Sequence, residues 1–240
     1  MGRRTCRRQQ SPRREYHSTV DSPAARSRTY GGKSLAVRRA ERRSAFLRAG
    51  VDVFGEKGYA SSSITDVCKA SGLARNQFYA EFDSRETLLI EVYENIQSDA
   101  RDAVAEVLGA LAEPTDFGET VAAAMAALLG SLGSDPRRAR ICYIEMLGVS
   151  PRVEEYRAAR RQIWADYIAD AIRGEVGESF VPPGGYRAAT WGFLGALTEL
   201  GSRWSLSDPR PPLDDLIEAM TAILRAFLPG QAVNRTDKLD

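Results

Sequence analysis

Residues Ser61–Leu88 read SSSITDVCKASGLARNQFYAEFDSRETL. Ser63 is suited to cap a helix, because its hydroxyl accepts from N–H groups that the first turn leaves free. Ile64, Val67 and Cys68 follow at i, i+3 and i+4, the spacing of one helical face. Gly72 takes the turn that comes next, since a residue without Cβ enters the left-handed region freely. A second short helix over Ala74–Phe82 places Ala74, Phe78 and Phe82 on one side. Two short helices around a Gly-containing turn form the helix-turn-helix pattern, whose second helix lies in the DNA major groove.

Upstream, Phe46, Ala49, Gly50, Val53 and Phe54 recur at helical spacing within Leu35–Lys57, with Gly58 placed as the C-cap and Tyr59 as the apolar residue after it. Three helices sharing Phe46, Val53, Phe54, Val67, Phe78 and Phe82 make a small head. A head of that size leans on the next helix for stability.

FGEKGY at 54–59, ITDV at 64–67, Ser71-Gly72-Leu73, Phe78-Tyr79, Phe82 and SRETL at 84–88 stand in an order and spacing that resemble the DNA-binding head of the TetR-type repressors. The likeness covers Val37–Leu88. It implies an all-α homodimer with a ligand-responsive C-terminal domain, usually acting as a repressor. Four positions depart from the pattern. Ala74 stands where the family often has a Ser or Thr cap, Asn76 and Gln77 where a small residue and then Thr or Ser are common, and Glu81 where His is frequent. An acid is unfavourable near a phosphate, so Glu81 is expected to turn away or to pair with Arg85. These departures bear on the operator sequence, not on the fold.

At about 100° per residue, Asn76 and Ala80 project nearly opposite Phe78 and Phe82, with Gln77 and Tyr79 flanking. Asn and Gln pair bidentately with adenine, a contact worth roughly 1–3 kcal/mol of discrimination. Arg75 is within reach of a guanine edge or a phosphate. Tyr79 and Thr65 suit backbone contacts that set register. Ser63 serves as a cap or a phosphate contact, and Arg85 lies in a first helical turn, which attracts phosphate. The candidate DNA-contacting set is Ser63, Thr65, Arg75, Asn76, Gln77, Tyr79 and Arg85; on a helix outside such a motif, the same residues would read as a solvated face.

The net charge of the 240 residues is only +1, but it is unevenly spread. Residues 1–34 carry 9 Lys/Arg against 2 acids, residues 35–83 carry 8 against 6, and residues 84–240 carry 16 against 24. A basic front on an acidic body suits a chain that meets nucleic acid at one end. The first 34 residues lack apolar periodicity and read as a disordered arm. Two readings stand for it: extra phosphate or minor-groove contacts, or a tail without a role in specificity. Its Arg pairs are followed by no apolar stretch of a secretory signal. Cys6, Cys68 and Cys142 are far apart and form no C-x-x-C pair. That pattern argues for the cytoplasm and against a disulfide framework or a metal site. Cys68 reads as core, with a redox switch as the alternative. The longest uncharged run, Thr120–Ser134, falls short of the ~20 residues that span a bilayer, so no membrane partner is expected.

Beyond the head, Leu89, Val92, Tyr93, Ile96, Ala100, Ala103, Val104, Val107 and Leu108 follow the helical period over Arg85–Leu111. Further helices are expected at about 116–131, 135–147, 151–173, 184–205 and 212–228, separated by Gly, Pro and Asp breaks. No segment alternates as a strand would. The organisation expected is a basic arm (1–34), a helix-turn-helix head (35–83), a helical effector-binding and dimerisation domain (84–229) and a flexible tail (230–240).

Gly192, Phe193, Ala196 and Leu200, together with Met220, Ile223, Leu224 and Phe227, form matching stripes on the last two helices. These read as a four-helix dimer interface, the alternative being an ordinary intrachain core. Tyr143, Met146, Trp164, Tyr167 and Trp191, with Met125, are the candidates to line a mainly apolar effector pocket, and Arg140, Glu145 and Glu199 are its polar candidates. The pocket itself is implied by the family resemblance; each of these residues also fits plain core packing or surface.

Together these readings describe a homodimeric regulator on a palindromic DNA operator, released by a small-molecule effector. A ligand-independent architectural protein or activator with the same head is the alternative. Catalysis finds little support: the one histidine, His17, lies in the arm, Glu154/Glu155 and Asp214/Asp215 are adjacent rather than four apart, and no Gly-rich phosphate loop follows a strand. No cofactor is expected.

Overall fold

The computed structural model describes residues 34–111 and 116–228. The basic arm before Ser34 and the tail at 230–240 lie outside the described residues. Contacts divide the chain into a short unit ending at Arg38 and one from Arg39 onward. In the first, the Ser34 hydroxyl accepts from the Val37 N–H at 3.2 Å and so begins helix α1 (Leu35–Lys57).

Among the described residues every regular element is helical. α2 (Ile64–Ser71) and α3 (Arg75–Tyr79) follow α1, and α4 (Arg85–Ala110) leads into the body. The body consists of α5 (Phe117–Gly133), α6 (Pro136–Arg140) running into a π-helical turn at Ile141–Glu145, α7 (Pro151–Val176), α8 (Gly185–Leu206) and α9 (Leu213–Arg225). π turns are rare and occur mostly as single insertions in α-helices.

The head is built as its sequence suggests. Ser63 and Asp66 form a reciprocal capping box at the start of α2, and Gly72 ends it at φ 68° in the left-handed region. Phe46, Phe78 and Phe82 are buried together, with Phe46 edge-on to Phe78 at 5.4 Å and to Phe82 at 6.1 Å. Each such side chain contributes about 1.5–3 kcal/mol by leaving water.

The second helix is shorter than the expected Ala74–Phe82. It ends at Tyr79, because Phe82 folds back into the core and Glu81 is drawn to α1. There Glu81 meets Arg39 at 3.1 Å and Arg42 at 3.3 Å, while its carbonyl accepts from Arg43. The expected pairing with Arg85 does not form. Arg85 instead donates to the Ser62 carbonyl and stacks over the Tyr59 ring at 4.1 Å.

Head and body are closely interlocked. A Cβ at Gly50 would lie 2.7 Å from Val92 of α4, and one at Gly55 would lie 2.3 Å from the Arg137 Cβ of α6. Only hydrogen at these two positions lets the helices cross so near. In the body α5 packs against α4 and α9, and α8 lies against α6, α7 and α9. No single helix among the described residues is long and apolar enough to cross a membrane.

Candidate nucleic-acid interface and apolar cavity

α2 and α3 present one outward polar surface. Ser63, Thr65, Arg75, Asn76 and Tyr79 are all exposed on it, and Gln77 is half-buried. Four of these side chains are already engaged. Ser63 hydrogen-bonds the Asp66 carboxylate at 2.6 Å and accepts from the Asp66 N–H, so its hydroxyl is a cap. The Ser63 hydroxyl and then the Lys57 ammonium hold the Asp66 carboxyl down at about 2.

Ala74 has no acceptor with which to cap α3. The Gln77 side chain supplies the missing bond by accepting from the Ala74 N–H at 2.9 Å. Its amide nitrogen is the end left for a base. Arg75 donates to the Tyr79 hydroxyl at 3.3 Å and lies over its ring at 5.7 Å. That bond raises the Arg75 pKa and fixes both side chains on the outer face. Asn76 points outward with no side-chain partner among the described residues. Arg85 is the exception in the expected set: it is half-buried and ties the start of α4 to the loop before α2.

A second set of bonds connects this head to the π turn. Glu145 accepts from the Tyr59 N–H at 2.7 Å and from Arg140 Nε at 2.8 Å, and Arg140 also donates to the Glu56 carbonyl at 3.3 Å. Arg137 bridges to Asp52 of α1 at 2.8 Å. Arg140 and Glu145, considered for the pocket, act here at the junction of head and body.

The cavity lies within the body. Its lining runs from Tyr93 to Leu108 on α4, from Phe117 to Leu132 on α5 and from Arg157 to Ile172 on α7. Each stretch corresponds to about 22 Å of helix at 1.5 Å per residue. The cavity has a volume of ≈ 130 Å³. Most of its wall is apolar. Gln97 is locked in place, donating to Cys142 Sγ at 3.6 Å and accepting from Trp164 Nε1 at 2.8 Å. Burial pushes the Cys142 thiol up to about 12 and raises the Tyr93 and Tyr143 hydroxyls above their usual range.

Of the residues expected at the pocket, Tyr143, Trp164 and Tyr167 line it, as does Met125. Tyr167 is 44% exposed and so stands at the rim. Met146 is fully buried in the core away from the lining, and Trp191 faces outward with Arg161 over its ring at 5.7 Å. Glu199 is exposed and pairs with Arg203.

The residues expected at a dimer interface divide by burial. Phe193 and Leu224 line the cavity, and Met220 is fully buried in its own chain, so these three are turned away from any second copy. Gly192 is exposed, while Ala196, Leu200, Ile223 and Phe227 are half-buried. α9 spends its apolar stripe on α5 and α8 of the same chain. Among the cavity residues the sequence did not single out are Tyr93, Gln97, Arg157 and Arg161. The signal available for the last two was their i, i+4 spacing on one helix.

A short helix turned outward from an aromatic head, attached to a helical body with a ligand-sized chamber, defines a helix-turn-helix DNA-binding regulator. Residues 46–92 match the family described as bacterial regulatory proteins, tetR family, so the head is of the TetR type. The HTH-type transcriptional regulator EthR of Mycolicibacterium smegmatis is 26% identical over 153 residues, 63% of this chain and 69% of that protein. The fold is shared with the fatty acid degradation regulator FadR from Bacillus halodurans, at TM-score 0.68, 19% identity and coverage of 80% of this chain and 96% of that one. It is shared too with FadR from Bacillus subtilis in complex with stearoyl-CoA, at TM-score 0.65, 19% identity, 75% of this chain and 96% of that one.

Proposed function

We propose that this protein is a homodimeric repressor that holds a palindromic operator when empty and leaves it when a mainly apolar small molecule enters the body. The observation that carries the reading is the continuity of cavity and head. α4 lines the chamber from Tyr93 to Leu108 and starts at Arg85, which binds the loop before α2. The π turn puts Tyr143 into the cavity wall and Glu145 onto the Tyr59 N–H. A ligand that moves α4 or the π turn therefore moves the recognition surface. Such coupling is typically about 1–3 kcal/mol, and it requires that the ligand bind the two arrangements differently.

The chain functions as arm, head (35–83), body (84–229) and tail, with DNA contacts at Thr65, Arg75, Asn76, Gln77 and Tyr79. Exposed residues on α8 (Ala188, Trp191, Gly192), with Ile163 and Tyr167 on α7, supply an outward face for a second copy. Small residues there let helices approach closely, and two heads are needed to engage half-sites about 34–36 Å apart. The FadR structure with stearoyl-CoA supports an effector with a long apolar part. Footprinting with the purified protein identifies the operator. Fluorescence anisotropy on that operator then checks the proposal: ligands that raise the melting temperature through the body are expected to weaken binding 5- to 150-fold. Operator affinity indifferent to every such ligand would overturn the release mechanism.

A further inference from the structure

The cavity wall holds one polar spot whose donors are not all used. Tyr93 and Gln97 both line the chamber and stand four apart on α4, so they are neighbours on one helical face. Trp164 Nε1 can only donate, and it takes the Gln97 oxygen at 2.8 Å. The amide nitrogen is thereby turned the other way, onto Cys142 Sγ at 3.6 Å. That contact uses one of the two amide hydrogens and leaves the second. The Tyr93 hydroxyl, on a residue only 5% exposed, makes no hydrogen bond to any described residue. Burial keeps the Tyr93 phenol and the Cys142 thiol in their neutral, donating forms.

Other polar groups of the wall are occupied or covered. Thr198 and Thr120 donate to carbonyls one turn back in the chain, at 2.8 and 3.2 Å. Arg157 pairs with Glu154 at 2.9 Å, and Arg161 lies over the Trp191 ring at 5.7 Å. The Tyr143 hydroxyl is covered, and its ring is pressed against Gly201, where a Cβ would lie 2.7 Å from it.

We propose that Tyr93 and Gln97 form the polar subsite of the cavity, and that the effector places there one neutral acceptor oxygen, the carbonyl of a ketone, ester or amide, on an otherwise apolar body. A carbonyl oxygen has two lone pairs and can take the phenol O–H and the spare amide N–H together. An effector without such an oxygen covers both donors and leaves them unmet, which is costly. A carboxylate brings a full charge to a spot whose free donors are all neutral. The proposal rests on the reading of the cavity as the effector site and adds the chemistry of the group recognised in it.

The test is calorimetric titration of the full chain with acetophenone, cumene and benzoate, which share one shape and differ in carrying a carbonyl, no polar atom or a carboxylate. The cavity of ≈ 130 Å³ suits probes the size of a substituted benzene. Acetophenone is expected to bind about five- to a hundredfold more tightly than cumene, and more tightly than benzoate. Tyr93→Phe should melt no lower than the parent chain, because the hydroxyl it loses makes no bond in the empty protein. It should cut the ketone preference several-fold while cumene affinity holds. Gln97→Leu should cut it too, with a lower melting temperature because Trp164 loses its acceptor. Equal binding of acetophenone and cumene by the parent chain would overturn the subsite and leave the effector cavity standing. So would tightest binding of benzoate, or a ketone preference that survives both substitutions. No binding of any of the three probes would overturn the subsite and the cavity reading together.

Discussion

Replacing Glu145 with Ala is expected both to weaken the fold and to disconnect the cavity from the recognition surface. The carboxylate is nearly buried, with its side chain 10% exposed, and accepts the Tyr59 N–H at 2.7 Å. A hydrogen bond to a charged group contributes about 1.5–3 kcal/mol. The Arg140 partner is 38% exposed, so solvent screens that ion pair and it adds less than about 1 kcal/mol. Together these give a loss of about 2–3 kcal/mol, or roughly 4–12 °C in Tm for a domain of this size. Glu145→Gln keeps an acceptor for Tyr59 and loses the charge, so roughly half that drop is expected. Thermal unfolding measures the first effect, and operator anisotropy with and without a ligand that raises the melting temperature through the body measures the second. Both variants should bind operator with a reduced response to the ligand. Melting and ligand response equal to those of the parent chain would refute the assignment of Glu145 as the link.

Phe78→Ala removes the centre of the aromatic head and should cost about 3–5 kcal/mol, abolishing operator binding while the body still melts cooperatively. On a panel of operator variants, Asn76→Ala should relax preference at one position per half-site, whereas Tyr79→Phe should weaken all sequences alike. Gln77→Ala removes the Ala74 cap, so a modest stability loss should accompany its effect on binding, about 0.5–2 kcal/mol. The Asp66 carboxyl lies at about 2 when folded against 3.8 as its ordinary value. Its contribution is complete above pH 4 and lost as pH falls toward 2; Asp66→Asn should flatten stability against pH in that window. The Cys142 thiol, buried and pushed up to about 12, should resist alkylation at pH 8 until the protein unfolds.

The head was legible because its signals are local. Ser63, Gly72 and the Phe46–Phe78–Phe82 set act within a few turns of chain, and each falls where its spacing predicts. The second helix ran shorter than its apolar period because Glu81 is pulled by arginines about forty residues upstream, a tertiary force that no window of sequence contains. The body resisted for a different reason. Periodicity says that Phe193, Met220 and Leu224 are covered but not whether the cover is the same chain or a copy of it. Arg161 was equally hidden: a charged residue on a helix reads as solvated until the ring it lies over, that of Trp191 on the next helix, is known.

The π turn at Ile141–Glu145 has a consequence for how the protein can change. It carries one residue more per circuit than the helix it extends, and that residue lets Tyr143 face the chamber while Glu145 reaches Tyr59. Deleting Ile144 would take out that extra residue and restore ordinary winding, so that Tyr143 and Glu145 could no longer face the chamber and Tyr59 at once. The molecule could then still admit its ligand and still recognise its operator, yet each event would pass unnoticed by the other: a sensor and a switch on one chain, with the wire between them cut by a single lost codon.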